Sequence, residues 1–596
     1  MSSVPERSEV DTEYIWDLES LYADDEDWEA AYETAQAMLD DLRAFEDHPT
    51  PDAETLLALL ETHEEVSRQV SEVHTYARLR RDEDTRDSEA QAMSTRAESL
   101  AAEASEAGSF IEPAIQDLSR EEVEAYMDEV AALEEYDHFL DDILRMKPHT
   151  RSPEVESLLA DLSDVTDASQ EVYTMLSNAD MTFPTVEDPQ GEAREITLSN
   201  FTTLQKHTDR EFRRSVYEAF YDQWETVRNA VAASFRKNVT ADRKLAKARN
   251  YDSAREAALD GPNVPVEVYD TLVDAVRDNV ETLHRHADLK REALGTEELQ
   301  MWDLYVPMIE GESPEVSYEQ ACEWVEEAVA PLGEDYQDRL AEGLDSRWVD
   351  VYETVGKKSG AYSSGTYDSQ PYILMNYQDD VESMFTLAHE LGHSLHSELA
   401  REAQPYVYYQ YEIFIAEIAS TVNETLLTHH LLDVVEDERL RRHILNEYLE
   451  RFRSTLFRQT MFAEFEHRTH TQAAEGKPLT ADSLDQTYRD LKETYYENAV
   501  VDDRIAREWM RIPHFYYGYY VYQYSTGISA AVALVEKILE EGEDAAAPYR
   551  DLLRMGSREY PLDLLDEVGL DLTDSDPIES AIGVYDDYLE EFDALL

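Results

Sequence analysis

The segment His389-Glu390-Leu391-Gly392-His393 restricts this chain more than any other five residues in it. It lies inside SMFTLAHELGHSLHSEL, where Met384, Phe385, Leu387, Ala388, Leu391 and Leu395 leave little of a helix surface polar. At about 3.6 residues per turn, positions four apart lie one above the other, so His389 and His393 present two imidazoles to one point. Glu390 projects from the neighbouring flank. A helix this apolar is expected to be buried, and buried imidazole and carboxylate groups need partners. A metal ion supplies them. Two neutral nitrogen donors beside a carboxylate base form the arrangement used in zinc-dependent peptide hydrolysis. The five-residue pattern is weak by itself: with 17 histidines in 596 residues it arises by chance on the order of once in twenty such chains. Its context has to carry the rest.

Composition narrows that context. A hydrophobic fraction of 42%, with seven Trp and 37 Tyr, predicts a globular protein of several helical layers. No apolar run is long enough to cross a membrane, and the start lacks a basic segment followed by an apolar one, so a cytoplasmic protein is expected. The single cysteine, Cys322, excludes an intramolecular disulfide framework and a cysteine-based zinc site. Asp and Glu number 132 against 51 Lys and Arg, a net charge of −81. These acids are spread along the chain, as in YADDEDWEAAY from Tyr22 to Tyr32, and do not form a tail. At about 1 M salt the Debye length falls to about 3 Å and such self-repulsion is screened, so the composition predicts a halophilic protein in a salt-rich cytoplasm. Nucleic acid and anionic membranes are excluded as partners on the same ground.

Residues 1–12 read as a flexible tail, 13–190 as an N-terminal helical domain and 191–596 as the catalytic domain. Between Glu64 and Ala107 there is neither Pro nor Gly, which predicts one or two long antiparallel helices. Phe183, Pro184, Pro189 and Gly191, followed by Ile196-Thr197-Leu198, predict a small β-hairpin. Around residues 349–377 the chain changes character, with Gly356, Gly360 and Gly365 leading to a strand, Pro371–Tyr377, delivered directly to the motif helix. Lys357 and Lys358 read as surface charges. Gly356-Lys357-Lys358-Ser359 is not a phosphate loop, because Val351 stands where that motif needs Gly and Lys358 where it needs Ser or Thr.

A catalytic zinc takes three protein ligands and keeps one open position. The extended motif with a third histidine fails here, since His396 and Leu399 stand where it needs Gly and His. His396 lies about 10 Å along the helix axis from His389, too far to share an ion, and reads as structural or as a support behind the ligands. A following helical stretch, Tyr411–Leu427, offers Glu412, Glu417 and Glu424. Glu417 and Glu424 are seven apart and share a face; spacing leaves the choice between them open. The strand's Tyr372, Ile373, Leu374 and Asn376 are candidates for pairing with an extended substrate by strand addition.

TLAHELGHSLHS, the preceding SGAYSSGTYDSQPYILMNY and the following FIAEIASTVNE closely resemble oligoendopeptidase F, within the thimet-oligopeptidase-like metallopeptidases. YIWDLESLY near the start and VYDDYLEEFDALL at the end extend the likeness over nearly the whole chain. The resemblance implies one Zn2+ held by His389, His393 and Glu417, with Glu424 orienting a ligating histidine. It implies that His514, Tyr519 and Tyr522, in the tyrosine-rich Pro513–Tyr524 stretch, stabilise an oxyanion. The spacing there differs from the thimet branch, so which tyrosine acts stays open. The implied fold is mainly α, a multi-helix, two-halved peptidase with a deep internal channel and a small β-sheet beside the motif helix. The expected activity is zinc-dependent hydrolysis of internal bonds in short unstructured peptides, with Glu390 as general base. An aminopeptidase of the same ligand class is the rival, but its Gly-x-Met-Glu-Asn segment is reduced here to Met375-Asn376 in a different setting. A non-catalytic peptide-binding scaffold is disfavoured by the intact His389, Glu390, His393 and Glu417.

Overall fold

Aspartates start the long helices of the N-terminal region. Asp24, Asp52 and Asp87 accept backbone N–H groups from the first turns of α1 (Asp25–Arg43), α2 (Ala53–Glu83) and α3 (Ser88–Gly108). Each cap satisfies donors that a helix end otherwise leaves orphaned. The computed structural model describes residues 4–309, 311 and 313–596, most of them helical. Among them no helix is long and apolar enough to cross a membrane.

The chain forms two compact units of interleaved segments. One runs to Lys147 and adds Pro314–Val434 and Leu534–Gly569; the other comprises Pro148–Ser313, Val435–Ala533 and Leu570–Leu596. These units group the chain by contacts, whereas the division at 190 expected above follows its order. Periodicity marks where elements begin and end, not which distant segments share a core. Of the expected flexible tail, residues 1–3 lie outside the described residues, and Pro5 and Arg7 make contacts within the first unit. Arg7 pairs with Glu83 at 2.7 Å and with Asp350 at 2.6 Å, and the Pro5 carbonyl accepts the Val355 N–H at 2.9 Å. The buried Asp350 carboxylate needs cations, and Arg7 is one of them.

In the first unit α2 and α3 form the expected helical hairpin, and with α1 they enclose Trp16, Trp28, Leu56, Val73 and Leu100. Tyr372 and Leu374 complete this core from a three-stranded sheet. Its strands are β1 (Val349–Tyr352), β2 (Tyr362–Ser364) and β3 (Tyr372–Tyr377), in the spatial order β1-β3-β2. β3 pairs parallel with β1 and antiparallel with β2. The strand expected to receive substrate is therefore internal, with both edges used. Tyr372, Ile373 and Leu374 are fully buried, and the Asn376 amide donates to the Lys358 and Gly360 carbonyls at 3.0 and 2.8 Å. None of the four is open to strand addition. The uninterrupted apolar run YILM is the mark of a strand covered on both faces, and it carries no information about the strand's edges.

The glycine loop before β2 docks on the α2–α3 turn. Gly356 has φ +90°, and a Cβ there would lie 2.1 Å from Asp84 Oδ1. The Thr85 N–H donates to its carbonyl at 2.7 Å. Lys357, expected at the surface, is wholly buried and bonds Asp350 at 2.6 Å and the Asp350 and Tyr352 carbonyls at 3.0 and 2.8 Å. Asp350 thus has Lys357 and Arg7 as its counter-charges.

β3 leads through Asp380, whose carboxylate accepts the Ser383 N–H at 2.8 Å, into the motif helix α4 (Val381–Ala403). α4 packs against α5 (Ile413–Val434) with Gly392 at the closest approach. A Cβ at Gly392 would stand 2.6 Å from Ser420 Cα and 2.7 Å from the Ala419 carbonyl oxygen. Glycine inside a helix costs roughly 0.5–1 kcal/mol against alanine, so this approach is the reason for it. Gly392→Ala should destabilise the protein by about 1–3 kcal/mol despite the gain in helix propensity. An unchanged thermal midpoint would contradict this packing.

The second unit contains the expected hairpin, Thr185–Glu187 paired antiparallel with Ala193–Glu195, and a 39-residue helix, Arg210–Ala248. Buried charge there is heavily compensated. Glu508 meets Lys492 at 2.7 Å, Arg458 at 2.8 Å, Arg511 at 3.0 Å and the Tyr488 hydroxyl at 2.7 Å. These cations outweigh burial and hold its carboxyl well below the usual range.

Buried imidazoles predict acid lability. Burial lowers His286, His443 and His467 to about 4 and His396 to about 3. The unfolded value is about 6.5, so between there and the folded values the unfolded chain binds more protons. Stability is therefore full above about pH 6.5 and is lost as pH falls. The thermal midpoint should drop between about pH 7 and pH 5; a flat profile would contradict the burial.

Candidate metal centre

One turn separates His389 from His393 on α4, and their Nε2 atoms lie 3.2 Å apart. Glu417, one turn into α5, brings Oε2 to 3.8 Å from His389 Nε2. One ligand atom from each of the three lies within 4.8 Å of the others, an arrangement that can hold a metal ion. The far sides of both rings are occupied. His389 Nδ1 is 2.5 Å from Oε1 of the fully buried Glu424, and His393 bonds the Ala416 backbone carbonyl. With those protons committed, the Nε2 lone pairs face one another across 3.2 Å. Such a pair repels until a cation sits between it and the carboxylate. Two imidazole nitrogens and one carboxylate oxygen suit zinc. Side-chain exposures of 25% for His389 and 24% for Glu417 leave the centre open on one side.

Burial, with His389 adding to it, lowers His393 to about 3 and keeps it neutral, as a ligand must be. Glu390 is pushed up to about 7, by burial and then by the charge of Glu417, while the Ser363 N–H of β2 pulls it down. A carboxylate titrating near neutrality is matched to general-base work. Glu424 fixes the tautomer and orientation of His389. Glu424→Gln should therefore weaken metal binding about 10–100-fold while leaving the fold intact. Chelator competition measures this, and wild-type affinity in the variant would remove Glu424 from that role.

His396, as expected, is set apart from the three ligands: it is fully buried and stacks on Tyr411 with ring centroids 3.5 Å apart. Two supporting pairs escaped the sequence. The Tyr411 hydroxyl lies 2.7 Å from Ser397 Oγ and donates to the His393 carbonyl at 3.3 Å, and Ser363 Oγ meets Ser394 Oγ at 2.8 Å. No spacing rule flags either. Gly392 could have been found, as a costly glycine in an apolar helix.

His514, Tyr519 and Tyr522 belong to the second unit. Tyr519 and Tyr522 pack on the same ring, Tyr269, at 5.6 and 5.3 Å. Tyr519 has φ +56°, and its N–H donates to Glu466 at 2.7 Å. Burial raises its phenol far enough to keep it protonated, hence a donor. His514 lies apart from that pair, among Tyr517, Tyr520 and Tyr524. Burial and then Arg458 lower its pKa, which favours the neutral ring over the charged donor a protonated histidine would be.

The model of Peptidase family M3 matches residues 203–584. The chain belongs to peptidase family M3. The N-terminal Oligopeptidase F model matches residues 114–183 of this M3 chain. Oligopeptidase PepF of Bacillus subtilis is 41% identical over 596 residues, covering 100% of this chain and 89% of the relative. Group B oligopeptidase PepB of Streptococcus agalactiae is 39% identical, covering 99% of this chain and 98% of the relative. The crystal structure of oligoendopeptidase-F from Enterococcus faecium superposes with a TM-score of 0.74 at 36% identity, covering 95% of this chain and 99% of the other. As an M3 member of the oligoendopeptidase F type, the protein is a helical, metal-dependent endopeptidase that acts on peptides.

Proposed function

We propose that the M3 chain hydrolyses internal bonds of short unstructured peptides with one zinc ion, held by His389, His393 and Glu417. The observation that carries this is the pair of Nε2 atoms facing each other at 3.2 Å beside Glu417, with Glu424 and the Ala416 carbonyl behind them. Zinc bound there supplies Lewis acidity, polarising the scissile carbonyl and making water a stronger acid. Glu390 takes a proton from the attacking water and returns it to the leaving amine. The Ser363 N–H steadies the Glu390 carboxylate in its ionised form. Because β3 is internal, an extended substrate is left with β1 or β2, which among the described residues each pair on one side only, and β2 is the one whose Ser363 N–H reaches Glu390. The family resemblance nominates His514, Tyr519 and Tyr522 as donors to the oxyanion.

Internally quenched and N-blocked peptides, digested at high salt with and without chelator, test this reading when products are mapped by mass. Internal cuts abolished by chelation and restored by zinc are expected. Release of single N-terminal residues, or chelator-insensitive cleavage, would overturn it. High salt belongs in the assay because the even spread of acid residues fits a salt-rich cytoplasm.

A further inference from the structure

Beside the metal centre the first unit holds a cavity of about 420 Å³ with an unusual lining. Its wall includes Tyr136, Tyr406, Tyr409 and Tyr411, its acids are Glu64 and Glu412, and among the described residues neither lysine nor arginine lines it. His63, which also lines it, is kept toward the neutral form by burial. The Tyr136 hydroxyl bonds the Glu64 carboxylate, whose Oε1 is enclosed without a hydrogen-bond partner of its own. The nearest cation acting on Glu64 is Arg68, and Arg68 is committed to a two-pronged pair with Asp368. Glu412, more exposed, stands at the rim. A carboxylate enclosed without a counter-charge is costly.

The cavity connects to the reaction through Tyr411, whose hydroxyl donates to the carbonyl of His393. A smaller hollow of about 270 Å³ shares Tyr409, Gln410 and Tyr411 as a wall and reaches Ser364, Gly365 and Thr366, where β2 ends. That hollow contains Arg401, close to Glu398 at 3.6 Å, and so does not attract a cation. We propose that the larger cavity is a substrate subsite for a cationic side chain, arginine before lysine, with Glu64 at its base, Glu412 at its mouth and tyrosine faces along the stem. Arginine fits better because its planar guanidinium both stacks on aromatic faces and binds carboxylates in parallel. The proposal rests on the peptidase reading above and adds a specificity to it. High salt does not abolish such pairing, because a contact at hydrogen-bond distance is no longer than the roughly 3 Å Debye length at about 1 M.

The test moves a single arginine through each position of an internally quenched alanine-based peptide and repeats the series with citrulline, its neutral isostere. Wild-type enzyme should prefer arginine over citrulline by about tenfold in kcat/KM at one position relative to the cut, as expected of one carboxylate contact. That ratio should approach one in Glu64→Gln/Glu412→Gln and fall below one in Glu412→Lys. A wild-type ratio near one at every position overturns the subsite while leaving the peptidase reading intact. So does a ratio that survives in the double variant, or an equal preference for phenylalanine at the same position. Failure of the wild type to cut any peptide overturns the parent reading and the subsite together.

Discussion

Glu390→Gln should retain its metal and lose about 10³-fold in kcat, the scale of a removed general base. Gln keeps the size of the side chain and its packing, since Glu390 is only 7% exposed. It cannot accept a proton from water. His389, His393 and Glu417 are untouched, so metal content measured by atomic absorption should equal that of the wild type. Retained activity would sink the mechanism; lost metal would move Glu390 into the ligand set. The pH profile provides a second reading of the same residue. The base works when ionised, so activity is present above its pKa and lost as pH falls through it. Burial and the Glu417 charge place that carboxyl at about 7, and a bound cation favours the ionised form. The acid limb of kcat/KM should therefore lie at or below about 7 and be absent from the residual activity of Glu390→Gln.

Glu417→Ala should release the metal outright. The centre then keeps two imidazoles, and the loss should exceed the roughly 10–100-fold expected for an outer partner such as Glu424. The contrast separates the two acids between which spacing along α5 left the choice open. After dialysis against a weak chelator, Glu417→Ala should be metal-free and inactive, whereas Glu424→Gln should recover activity with added zinc. Tight metal binding in Glu417→Ala would overturn the ligand assignment. Its fold should persist, because Glu417 is partly exposed and lies on a helix anchored by Phe414, Ile418 and Val422.

Much of the site could be read before the structure. His389 and His393 follow from helical periodicity, and the apolar flanks of α4 indicated that the site would be buried. Glu417 came from resemblance; the reading of spacing ended at a choice of two. β3 was found as a strand leading into α4, yet its place in the sheet was misjudged. An apolar run reports burial, and a central strand and an edge strand differ in their hydrogen-bond partners, which leave no trace in the strand's own residues. Lys357 was placed at the surface for a similar reason. A lysine is normally solvated, and only Asp350 beneath it makes burial tolerable.

By itself, the sequence determined the helical class, the spacing of two histidines on one helix face with a carboxylate beside them, and the acid load of the chain. These are local or additive properties, decided by residue type and by spacing along one element. Tertiary structure decided which side of His389 each glutamate meets, which strands keep a free edge, and that Arg7 and Lys357 both neutralise Asp350. It also gathered Glu64, from α2, and Glu412, just before α5, around one cavity. Arg7 and Asp350, like Glu64 and Glu412, are hundreds of residues apart in the chain, and in every case the favourable partner lies on another element or loop.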